Sequence, residues 1–436
     1  MLFSEVCFRK YQRMMQKQLF FLFITVVFAC SSYAQLAITI INPIAVERKD
    51  ELIALKRVDI ENAIGKLSED YHFEISFGKQ KIVYQVVDTN DDNSWDKLVF
   101  LSSFKPKEQR SYIIKRIINK KFVAQDTCCF VAHVRMKPIK PDSTFGESIT
   151  HADMPFQNPP TDFSKHRLPP YLAEGPGWEN DKVAFRLYFD TRNTVDIYGK
   201  RIPWMVMDTV GANPTNSYHN ISNWGMDILH VVKSLGAGSL AIATKDENGK
   251  DTLIRLGGND IQKETYQQLA DGPLYAAFRM NYQWKINNKP VAVTQDISIW
   301  GGQYFYESKV TVTGALQGAK LVTGIANFYQ NTVDSMRVDN AAVLLSFGKQ
   351  SENKDELGMA IMLPQPSFAQ FSEAPKANSD VMETHLAAQN IIDGQPLTFR
   401  FYACWSKTDD QFVSQSYFRQ FMKGEALQFS EPLIIK

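Results

Sequence analysis

The sequence predicts a mainly β protein built from two β domains, with few helices. Short runs rich in β-branched and aromatic residues recur along the chain and are separated by turn-forming residues, which is typical of antiparallel sheets. Hydrophobic residues make up 44% of the 436 residues and aromatic residues 12%, so large cores can form and global disorder is excluded. At the usual ~150 residues per domain, the length allows two or three domains.

The first 34 residues are predicted to be a secretory signal peptide. Basic residues precede an apolar run at residues 19–29, and Ser32 and Ala34 provide the small residues that a signal peptidase recognises before Gln35. This run is far shorter than the ~20 apolar residues that cross a bilayer. We therefore expect an exported protein, periplasmic or extracellular. In an alternative reading Cys30 is a lipid-attachment site and the protein is lipid-anchored, although bulky Phe28 fits such a site poorly.

Residues 35–137 are predicted to form an N-terminal β domain. Strand-like runs lie at residues 36–41, 73–77, 81–87 and 128–136, and a short helical candidate lies at residues 50–55. The last run contains Cys128 and Cys129, for which burial in a strand fits better than metal binding because few other soft ligands are nearby. With Cys404, the exported chain has three cysteines, so the sequence does not indicate a disulfide scaffold.

A proline-rich stretch at residues 138–170 is predicted to be a linker that runs over the next domain. Its seven prolines exclude a helix or a central strand. Residues 171–436 are predicted to form a second, larger β domain. Its strand-like runs lie at residues 183–189, 276–286, 291–299, 304–312, 321–328, 341–347, 358–363 and 397–405, and a helix is expected at residues 409–422.

The charge balance argues against a nucleic-acid partner. Lysine and arginine number 48 against 47 acidic residues, a formal net charge of +1, so no cationic surplus exists to hold a polyanion. After the signal region, no segment is continuously apolar over membrane length, so we expect no transmembrane segment.

The first candidate binding region is a loop at residues 174–181 that precedes a strand carrying Arg186. Its glycines, acidic groups and Trp178 suit a sugar-binding loop, because the C–H groups of a pyranose pack on an aromatic face while its hydroxyls need fixed polar partners. Alternatively, Trp178 belongs to the core and the arginines and aspartates of this region pair across strands. The residues predicted to bind substrate here are Glu174, Trp178, Glu179, Asn180, Arg186 and, further on, Arg201.

A second region, residues 218–238, is dense in ionisable groups and is the predicted catalytic region. It contains Tyr218, His219, Asp227 and His230, which are predicted to be catalytic, and Trp224 and Lys233, which are predicted to bind substrate. Histidine titrates near neutral pH, and tyrosine can exchange a proton once a cation lowers its pKa. Asp227 and His230 share a face if this segment is helical, so that the carboxylate could orient the imidazole.

Cofactor signals are weak. Asp88, Asn90, Asp92 and Asp96 alternate like the oxygen ligands of a calcium loop, so Ca²⁺ is a possible ligand. However, Asn93 stands where such loops have glycine and Val99 where they have glutamate, and an acidic hairpin tip without an ion is the slightly favoured alternative. Gly236-Ala237-Gly238 lacks the lysine of a phosphate-binding loop, so no nucleotide cofactor is expected.

Long strings in these regions resemble the secreted bacterial family of domains of unknown function called DUF4861. They are residues 174–186, 196–201, 224–230 and 234–238, joined by Asn42-Pro43 with Arg48 and Glu51, and by Tyr84-Gln85 before the acidic loop. The resemblance covers nearly the whole exported chain. It implies a large antiparallel β-supersandwich like that of galactose mutarotase, with a smaller N-terminal β-sandwich domain. It also implies a role in polysaccharide utilisation, near enzymes that act on uronic-acid glycans; a fold alone does not fix the activity.

The first functional hypothesis is an exported enzyme that cleaves or modifies a uronate-containing poly- or oligosaccharide. In an elimination reaction Arg186, Arg201 or Lys233 would bind the substrate carboxylate, and a histidine with Tyr218 would move protons. In a hydrolysis reaction a carboxylate pair such as Glu179 and Asp227 would flank the bond.

The second hypothesis is a glycan-binding or accessory protein without catalysis. Trp178, Trp204 and Trp224 would then serve as platforms for sugar rings. The mutual placement of the side chains separates the two hypotheses, because catalysis requires Tyr218, a histidine and an arginine in one cleft.

Overall fold

Antiparallel β-sheets dominate the computed structural model, which describes residues 35–67, 72–90, 92–117, 130–315, 317–329 and 332–436. The predicted signal peptide at residues 1–34 and the Cys128-Cys129 pair lie outside the described residues. In the described ranges, no helix has the length and apolar character needed to cross a membrane. Cys404 is a buried free thiol.

The N-terminal unit consists of two small sheets and one short helix. Its elements are β1 (Gln35–Ile41), β2 (Arg48–Lys56), α1 (Arg57–Ile64), β3 (His72–Phe77), β4 (Gln80–Ile82), β5 (Tyr84–Val87), β6 (Lys97–Phe104) and β7 (Gln109–Ile117). The two sheets and α1 share a core that includes Ile40, Ile60, Phe73, Phe100 and Tyr112. Residues 50–55, predicted as a short helix, are part of strand β2, and the helix begins only at Arg57.

The second unit begins with short strands around the candidate binding region. They are β8 (Ala132–Arg135), β9 (His151–Met154), β10 (Gly177–Asn180), β11 (Val183–Leu187), β12 (Val195–Lys200) and β13 (Gly225–Asp227), with a 3-10 turn at Leu172–Glu174. β9 lies inside the predicted linker and pairs with a single strand as the edge of a sheet, the strand position that a proline-rich segment tolerates.

The remaining elements, most of them longer strands, complete the second unit, except that the last strand belongs to a sheet of the N-terminal unit. They are β14 (Ala237–Lys245), β15 (Asp251–Arg255), β16 (Ile261–Ala270), β17 (Tyr275–Ile286), β18 (Lys289–Trp300), β19 (Phe305–Thr313), β20 (Lys320–Ala326), β21 (Thr332–Val338), β22 (Ala341–Gly348), β23 (Leu357–Pro364), β24 (Phe368–Glu373), β25 (Thr384–Asn390), β26 (Pro396–Trp405) and β27 (Ile434–Ile435), with 3-10 turns at Gly258–Asp260 and Asp410–Val413 and helix α2 (Gln415–Ser430).

A nine-stranded antiparallel sheet is the centre of the second unit. Its order is β21-β22-β23-β26-β19-β18-β17-β16-β9, and two five-stranded sheets, β13-β12-β11-β10-β8 and β15-β14-β20-β25-β24, pack on one of its faces. The other face packs against α2 through Phe418 and Met422. The two five-stranded sheets and the nine-stranded sheet therefore form a sandwich whose core contains Trp178, Phe278 and Phe401.

The local sequence explains the longest hairpin of the nine-stranded sheet. β17 and β18 run in register from Tyr275–Trp300 to Ile286–Lys289, and only Asn287 and Asn288 form the turn between them. Both asparagines have positive φ angles, 48° and 60°. Two-residue turns of this type match the right-handed twist of the strands, and asparagine tolerates them better than most residues. Along both strands buried and more exposed residues alternate, as a sheet with one buried face requires.

The structure confirms the predicted mainly β fold, with a large antiparallel sandwich and a smaller N-terminal β unit. The helix predicted at residues 409–422 is divided: a 3-10 turn comes first, and α2 begins after Ser414, whose hydroxyl accepts a hydrogen bond from Tyr417 N. Two strands pair with strands that are distant in the sequence. β8 pairs with β10 in the sandwich, although the predicted boundary at residue 137 placed it in the N-terminal domain, and β27 pairs with β1.

Candidate functional site

Trp178 lies in the core of the sandwich. Its side chain is 1% exposed, and its ring packs against Phe185, Phe278 and Tyr306 with centroid separations of 5.7, 5.1 and 5.5 Å. β10 places this side chain toward the nine-stranded sheet. The structure therefore corrects the prediction that Trp178 is a sugar platform, because no face of the ring reaches solvent.

The side chains of Glu179 and Asn180 form hydrogen bonds with backbone groups of the protein and do not face a ligand site. The buried Glu179 Oε2 lies 2.6 Å from Lys200 Nζ, and its Oε1 accepts hydrogen bonds from the amides of Val206 and Met207. Asn180 Nδ2 donates to the carbonyl oxygens of Trp300 and Gln303. Their predicted role in substrate binding is corrected on this evidence, since their polar atoms are used by the protein. Glu179 instead fixes the start of residues 206–224, which we call the site loop.

Arg186 is the centre of a buried charge cluster at the end of β11. Its Nη1 lies 3.2 Å from Glu174 Oε2, and its Nη2 lies 2.6 Å from Asp196 Oδ2 and 3.8 Å from Asp227 Oδ2. Tyr188 Oη accepts a further hydrogen bond from Nη2 at 2.7 Å. Because the guanidinium is buried among three carboxylates, it cannot bind a substrate carboxylate, and that predicted role of Arg186 is corrected.

The carboxyl group of Asp227 is held in its neutral form. Burial, and then the nearby Asp196, raise the pKa of Asp227 well above its usual value, although Arg186 opposes this. Two adjacent buried carboxyl groups cannot both ionise easily, so the pair retains a proton. Burial also raises the pKa of Tyr198, which lies beside the cluster.

His219 connects this buried cluster with solvent. Its Nδ1 lies 3.4 Å from Asp227 Oδ2, while 64% of the side chain is exposed. Burial of part of the ring and the charge of Arg186 lower the pKa of His219, which favours the neutral imidazole. If Nδ1 carries the proton toward Asp227, Nε2 presents its lone pair to solvent. The arrangement therefore suits a general base.

Tyr218 is the neighbour of His219 in space as well as in sequence. The two ring centroids are 4.5 Å apart, and Tyr218 also packs on Tyr198 at 5.6 Å. Burial raises the pKa of Tyr218, so its hydroxyl keeps its proton at neutral pH. A protonated phenol beside a neutral imidazole provides one proton donor and one proton acceptor.

These two side chains line a cavity of about 430 Å³, which we call the histidine cleft. Its other charged and aromatic lining residues include Phe163, Arg167, Glu174, Tyr188 and Arg192. The Arg192 guanidinium is fixed by Glu174 and Asp190 and stacks over the Tyr188 ring at 3.6 Å. Arg167 is exposed. The cleft therefore combines two guanidinium groups with the histidine and the tyrosine.

A second cavity of about 760 Å³ adjoins the histidine cleft along the site loop. The two cavities share the lining residues Gly211, Asn213, Asn216, Ser217 and Tyr218. Trp224 lines the larger cavity, half-buried, with its ring stacked on Tyr198 at 6.3 Å. Its position permits contact with a ligand in this cavity.

The remaining predicted site residues lie outside the lining of both cavities. Arg201 is exposed and donates from Nη1 to the carbonyl oxygen of Ser222, so it braces the site loop. Lys233 is exposed further along the chain. His230 contacts Phe328, and its Nδ1 is 4.0 Å from Glu352 Oε1. The predicted Asp227–His230 pair does not form, because residues 225–227 are strand β13 and Asp227 faces His219.

Two buried residues on β8 that sequence analysis missed secure the base of the site loop. Arg135 donates to the carbonyl oxygens of Met207, Leu172 and Gly175 at 2.7–2.8 Å. His133 lies between two carboxylates, with Nδ1 2.7 Å from Asp271 Oδ1 and Nε2 3.3 Å from Asp208 Oδ2. Single arginines and histidines in a strand give no sequence signal for such a role.

The ionisation of His133 between its two carboxylates makes the stability of the fold depend on pH. Burial opposes the charged imidazole, but its bonds with Asp208 and Asp271 raise the pKa of His133 to about 9. A raised pKa stabilises the fold at pH values below the unfolded pKa of about 6.5, and this contribution is lost as the pH rises through about 9. We expect it to be on the order of 3 kcal/mol.

Thermal unfolding of the wild type and of His133→Gln, followed between about pH 6 and about pH 10, measures this contribution. The difference in melting temperature between the two proteins should be large at the acidic end and shrink at the alkaline end. His166→Gln, at an exposed histidine, is the matched control. A difference between wild type and His133→Gln that stays constant with pH would contradict the assignment.

The acidic loop of the N-terminal unit satisfies its own backbone. Asp88 accepts hydrogen bonds from the amides of Asn90 and Asn93, and Asp96 accepts from Thr89. Asp92 accepts from Asn90 Nδ2 and from the amide of Ser94. Within the described ranges, no group of three or more histidine, cysteine, aspartate or glutamate residues could hold a metal ion. The calcium site therefore stays a prediction.

Comparisons with known proteins place the chain in a family without an assigned activity. The family described as "Domain of unknown function (DUF4861)" matches residues 40–435. An uncharacterised protein, P7, from Formosa agariphila is 21% identical over 414 residues, which are 91% of this chain and 92% of that protein. Two solved structures from Enterococcus faecalis are also similar, an α-mannosidase and a protein of glycosyl hydrolase family 38.

The similarity to these two structures is distant. The α-mannosidase has 7% sequence identity and a TM-score of 0.45, with 92% of this chain and 46% of that chain covered. The family 38 protein has 8% identity and a TM-score of 0.40, with coverages of 93% and 48%. The chain thus spans about half the length of either protein.

Proposed function

The chain belongs to the DUF4861 family, and from the site that its fold carries we propose that it is a carbohydrate-active enzyme that acts on a uronate-containing saccharide. The observation that carries this proposal is the position of His219, which contacts the buried Asp227 on one side and lines the histidine cleft on the other. A histidine that joins a buried carboxyl group to an open cleft is placed to exchange a proton with a bound ligand.

The cleft suits the recognition of an acidic sugar. The exposed Arg167 lines it, and a guanidinium group binds a carboxylate through paired, charge-assisted hydrogen bonds. Arg192 also lines it, but its guanidinium is already paired with Asp190 and Glu174. Glu174 also lines it, but its oxygens already bind Arg186 and Arg192. Trp224, at the adjoining cavity, offers an aromatic face to a neighbouring sugar ring.

We propose β-elimination as the reaction. The Arg167 guanidinium neutralises the uronate carboxylate, which acidifies the proton on C5. His219 Nε2 removes that proton, the C4=C5 double bond forms, and the C4–O bond breaks. Tyr218 supplies a proton to the leaving oxygen. Each of these groups lines the same cavity.

Hydrolysis by the pair Glu179 and Asp227 has less support. Glu179 is fully buried, and its carboxylate is taken up by Lys200 and two backbone amides. Asp227 is buried as well, so neither group can reach a glycosidic bond. A hydrolytic mechanism needs two carboxyl groups that flank the bond.

A non-catalytic glycan-binding role is the second candidate, because Trp204 is 70% exposed. An indole face that is open to solvent is a surface on which a sugar ring can pack. Trp204 and Trp224 could bind a glycan chain without any reaction.

Incubation with a panel of uronic-acid polysaccharides and oligosaccharides separates these possibilities. Elimination creates new chain ends together with the ultraviolet absorbance of a double bond conjugated to a carboxylate. Hydrolysis creates new ends without that absorbance, which would refute elimination. Binding of a panel member without new ends would favour the glycan-binding role and overturn the enzyme proposal.

Arg167→Ala tests the recognition of the substrate carboxylate. Loss of one charge-assisted hydrogen bond should raise KM for a uronate substrate about tenfold and leave kcat largely unchanged. Steady-state kinetics measure the two constants. Lys165→Ala is the matched control, because Lys165 is exposed, pairs with Asp162 and is absent from the cleft lining. Equal KM values for Arg167→Ala and the wild type would show that this arginine does not bind the carboxylate.

We also propose that the protein is exported through its N-terminal signal, to the periplasm or the cell exterior, where polysaccharides are degraded. The mass of the protein purified from its native host tests this. Loss of the first 34 residues is expected, and a lipid on Cys30 would establish the anchored form.

A further inference from the structure

A separate cleft lies between the N-terminal unit and helix α2. Its volume is about 510 Å³, and we call it the helix cleft. It shares no lining residue with the histidine cleft. Its lining residues come from the start of β2 and the residues before it, the β10–β11 turn, the β18–β19 turn, residues 409–411 and one face of α2.

Three half-buried aromatic rings form one wall of the helix cleft. Tyr304, Tyr417 and Phe421 all line it. Tyr304 Oη donates to Asp409 Oδ2 at 3.1 Å, and the Tyr304 ring packs edge-on against Phe421 at 5.8 Å and against the buried Phe412 at 5.0 Å. These contacts fix the rings, so their open faces are rigid surfaces on which a sugar can stack.

Amide side chains surround the aromatic wall. Gln411 and Gln420 are exposed at the cleft, and each can donate and accept hydrogen bonds. Gln303 is held by the carbonyl oxygens of Lys49 and Asp50 at 2.9 and 3.0 Å. Rings flanked by amides are the side-chain set that fits a sugar, because its C–H face is apolar and its hydroxyls both donate and accept.

The charge of the lining distinguishes this cleft from the histidine cleft. Glu47, Asp50, Asp409 and Glu425 line it together with two lysines, Lys49 and Lys182. Lys182 Nζ lies 3.2 Å from the carboxylate of Asp181, which offsets its charge. An excess of carboxylates repels a uronate but accepts hydrogen bonds from uncharged hydroxyl groups.

Gly424 gives an independent indication that the cleft is kept open. It lies within α2 and lines the cleft, and a Cβ atom there would meet only Val46 Cγ1, at 3.9 Å. Packing therefore does not require glycine, and glycine weakens a helix interior. Glycine is also the residue that lets a ligand approach the backbone closely.

The walls of the cleft are joined before any ligand arrives. The buried Arg48 donates from Nη1 to the carbonyl oxygen of Gln428 on α2, at 3.3 Å, and from Nε to Asn42 Oδ1, at 3.0 Å. It also donates to the carbonyl oxygen of Glu431. Such a preformed cavity loses little conformational entropy when it binds a ligand.

We infer that the helix cleft is a second saccharide-binding site, selective for neutral sugar residues. Its ligand class differs from that of the histidine cleft, and binding there does not depend on the chemistry proposed for His219. A protein with both sites would hold a heteropolysaccharide by a neutral segment and by an acidic one.

Isothermal titration calorimetry of the exported chain with panels of neutral and uronate-containing oligosaccharides tests the inference. We expect a neutral oligosaccharide to bind, and Tyr417→Ala and Gln420→Ala to weaken that binding at least about tenfold. Gln415→Ala is the matched control for Gln420→Ala, because both glutamines are exposed on α2 and Gln415 is absent from the cleft lining.

His219→Ala separates the two clefts, since it should leave the binding of the neutral sugar unchanged whether or not the enzyme proposal is correct. The inference is overturned if no neutral oligosaccharide binds more tightly than about 10 mM, or if Tyr417→Ala and Gln420→Ala bind it as well as the wild type. Circular dichroism of each variant confirms that the fold is retained.

Discussion

Turnover of a uronate substrate should fall by about 10²–10⁴-fold when His219 is replaced by alanine, while the melting temperature stays nearly unchanged. The loss is large because Nε2 is the proposed base of the elimination, and Asp227 lies 3.4 Å from Nδ1 on the other side of the ring. Stability is preserved because most of the His219 side chain is exposed. Steady-state kinetics and thermal unfolding measure the two quantities separately.

The pH profile gives this prediction a second readout. A base acts only when it is unprotonated, and the pKa of His219 is lowered by burial and by Arg186. We therefore expect kcat/KM to fall as the pH drops through a value below the usual ~6.5 of histidine. Asp227→Asn should change this profile, because it alters the partner of Nδ1.

The control for His219→Ala is His151→Ala, at an exposed histidine on edge strand β9. His230→Ala tests the other predicted histidine. His230 contacts Phe328 and Glu352 outside the cleft lining, so we expect a smaller effect than for His219→Ala. Wild-type turnover in His219→Ala would refute the proposed base.

Local patterns in the sequence were enough to predict the β architecture. Alternating apolar residues predict strands such as β17 and β18. The prolines of residues 138–170 predict a segment with no central strand. The sheet memberships of β8 and β27 could not be predicted. Each pairs with a strand far away in sequence, and strand pairing at that separation leaves no local pattern.

The candidate site could be predicted only in part. Tyr218, His219 and Asp227 do meet, and Glu174 lines the same cleft. Residue type, however, cannot distinguish a buried ion network from a binding site, because both require charged and aromatic side chains. The buried Arg186 belongs to such a network.

Other site residues escaped prediction for a related reason. Which face of a short strand is buried depends on the sheets that pack on it. The sequence of β10 alone therefore could not predict that the Trp178 side chain points into the core. Arg167 was overlooked because it lies in a stretch interpreted as a linker. Its proximity to His219 arises from the fold of two segments about fifty residues apart.

Arg186→Met should destabilise the protein by about 3–5 kcal/mol, the largest stability effect that we expect from a single substitution. The guanidinium is the cation shared by Glu174, Asp196 and Asp227, and all three carboxyl groups are buried. Methionine fills similar space but leaves Asp196 and Asp227 without their cation, while Glu174 keeps only Arg192. Differential scanning calorimetry should show a lower melting temperature for the sandwich.

The surface pair Arg279–Asp296 provides the control for this substitution. Its Nε–Oδ1 distance, 2.6 Å, equals the Arg186–Asp196 distance, but both of its side chains are 29% exposed. Arg279→Met should therefore cost no more than about 1 kcal/mol, because water solvates the remaining carboxylate. If Arg186→Met and Arg279→Met lose the same free energy of unfolding, burial does not make the carboxyl groups depend more strongly on their arginine.

A double variant shows whether the loss in Arg186→Met comes from unpaired charge or from lost packing. Asp196→Asn removes one buried negative charge and keeps the shape of the side chain. Combined with Arg186→Met, it should recover about 1–3 kcal/mol, since the two groups interact directly at 2.6 Å. Strictly additive losses would instead assign the effect to packing. The double variant keeps Asp227 but removes Arg186, which contacts it, and changes the neighbouring Asp196. Because Asp227 is the partner of His219, turnover should still be reduced in the double variant. That result would link the buried cluster to the proposed base.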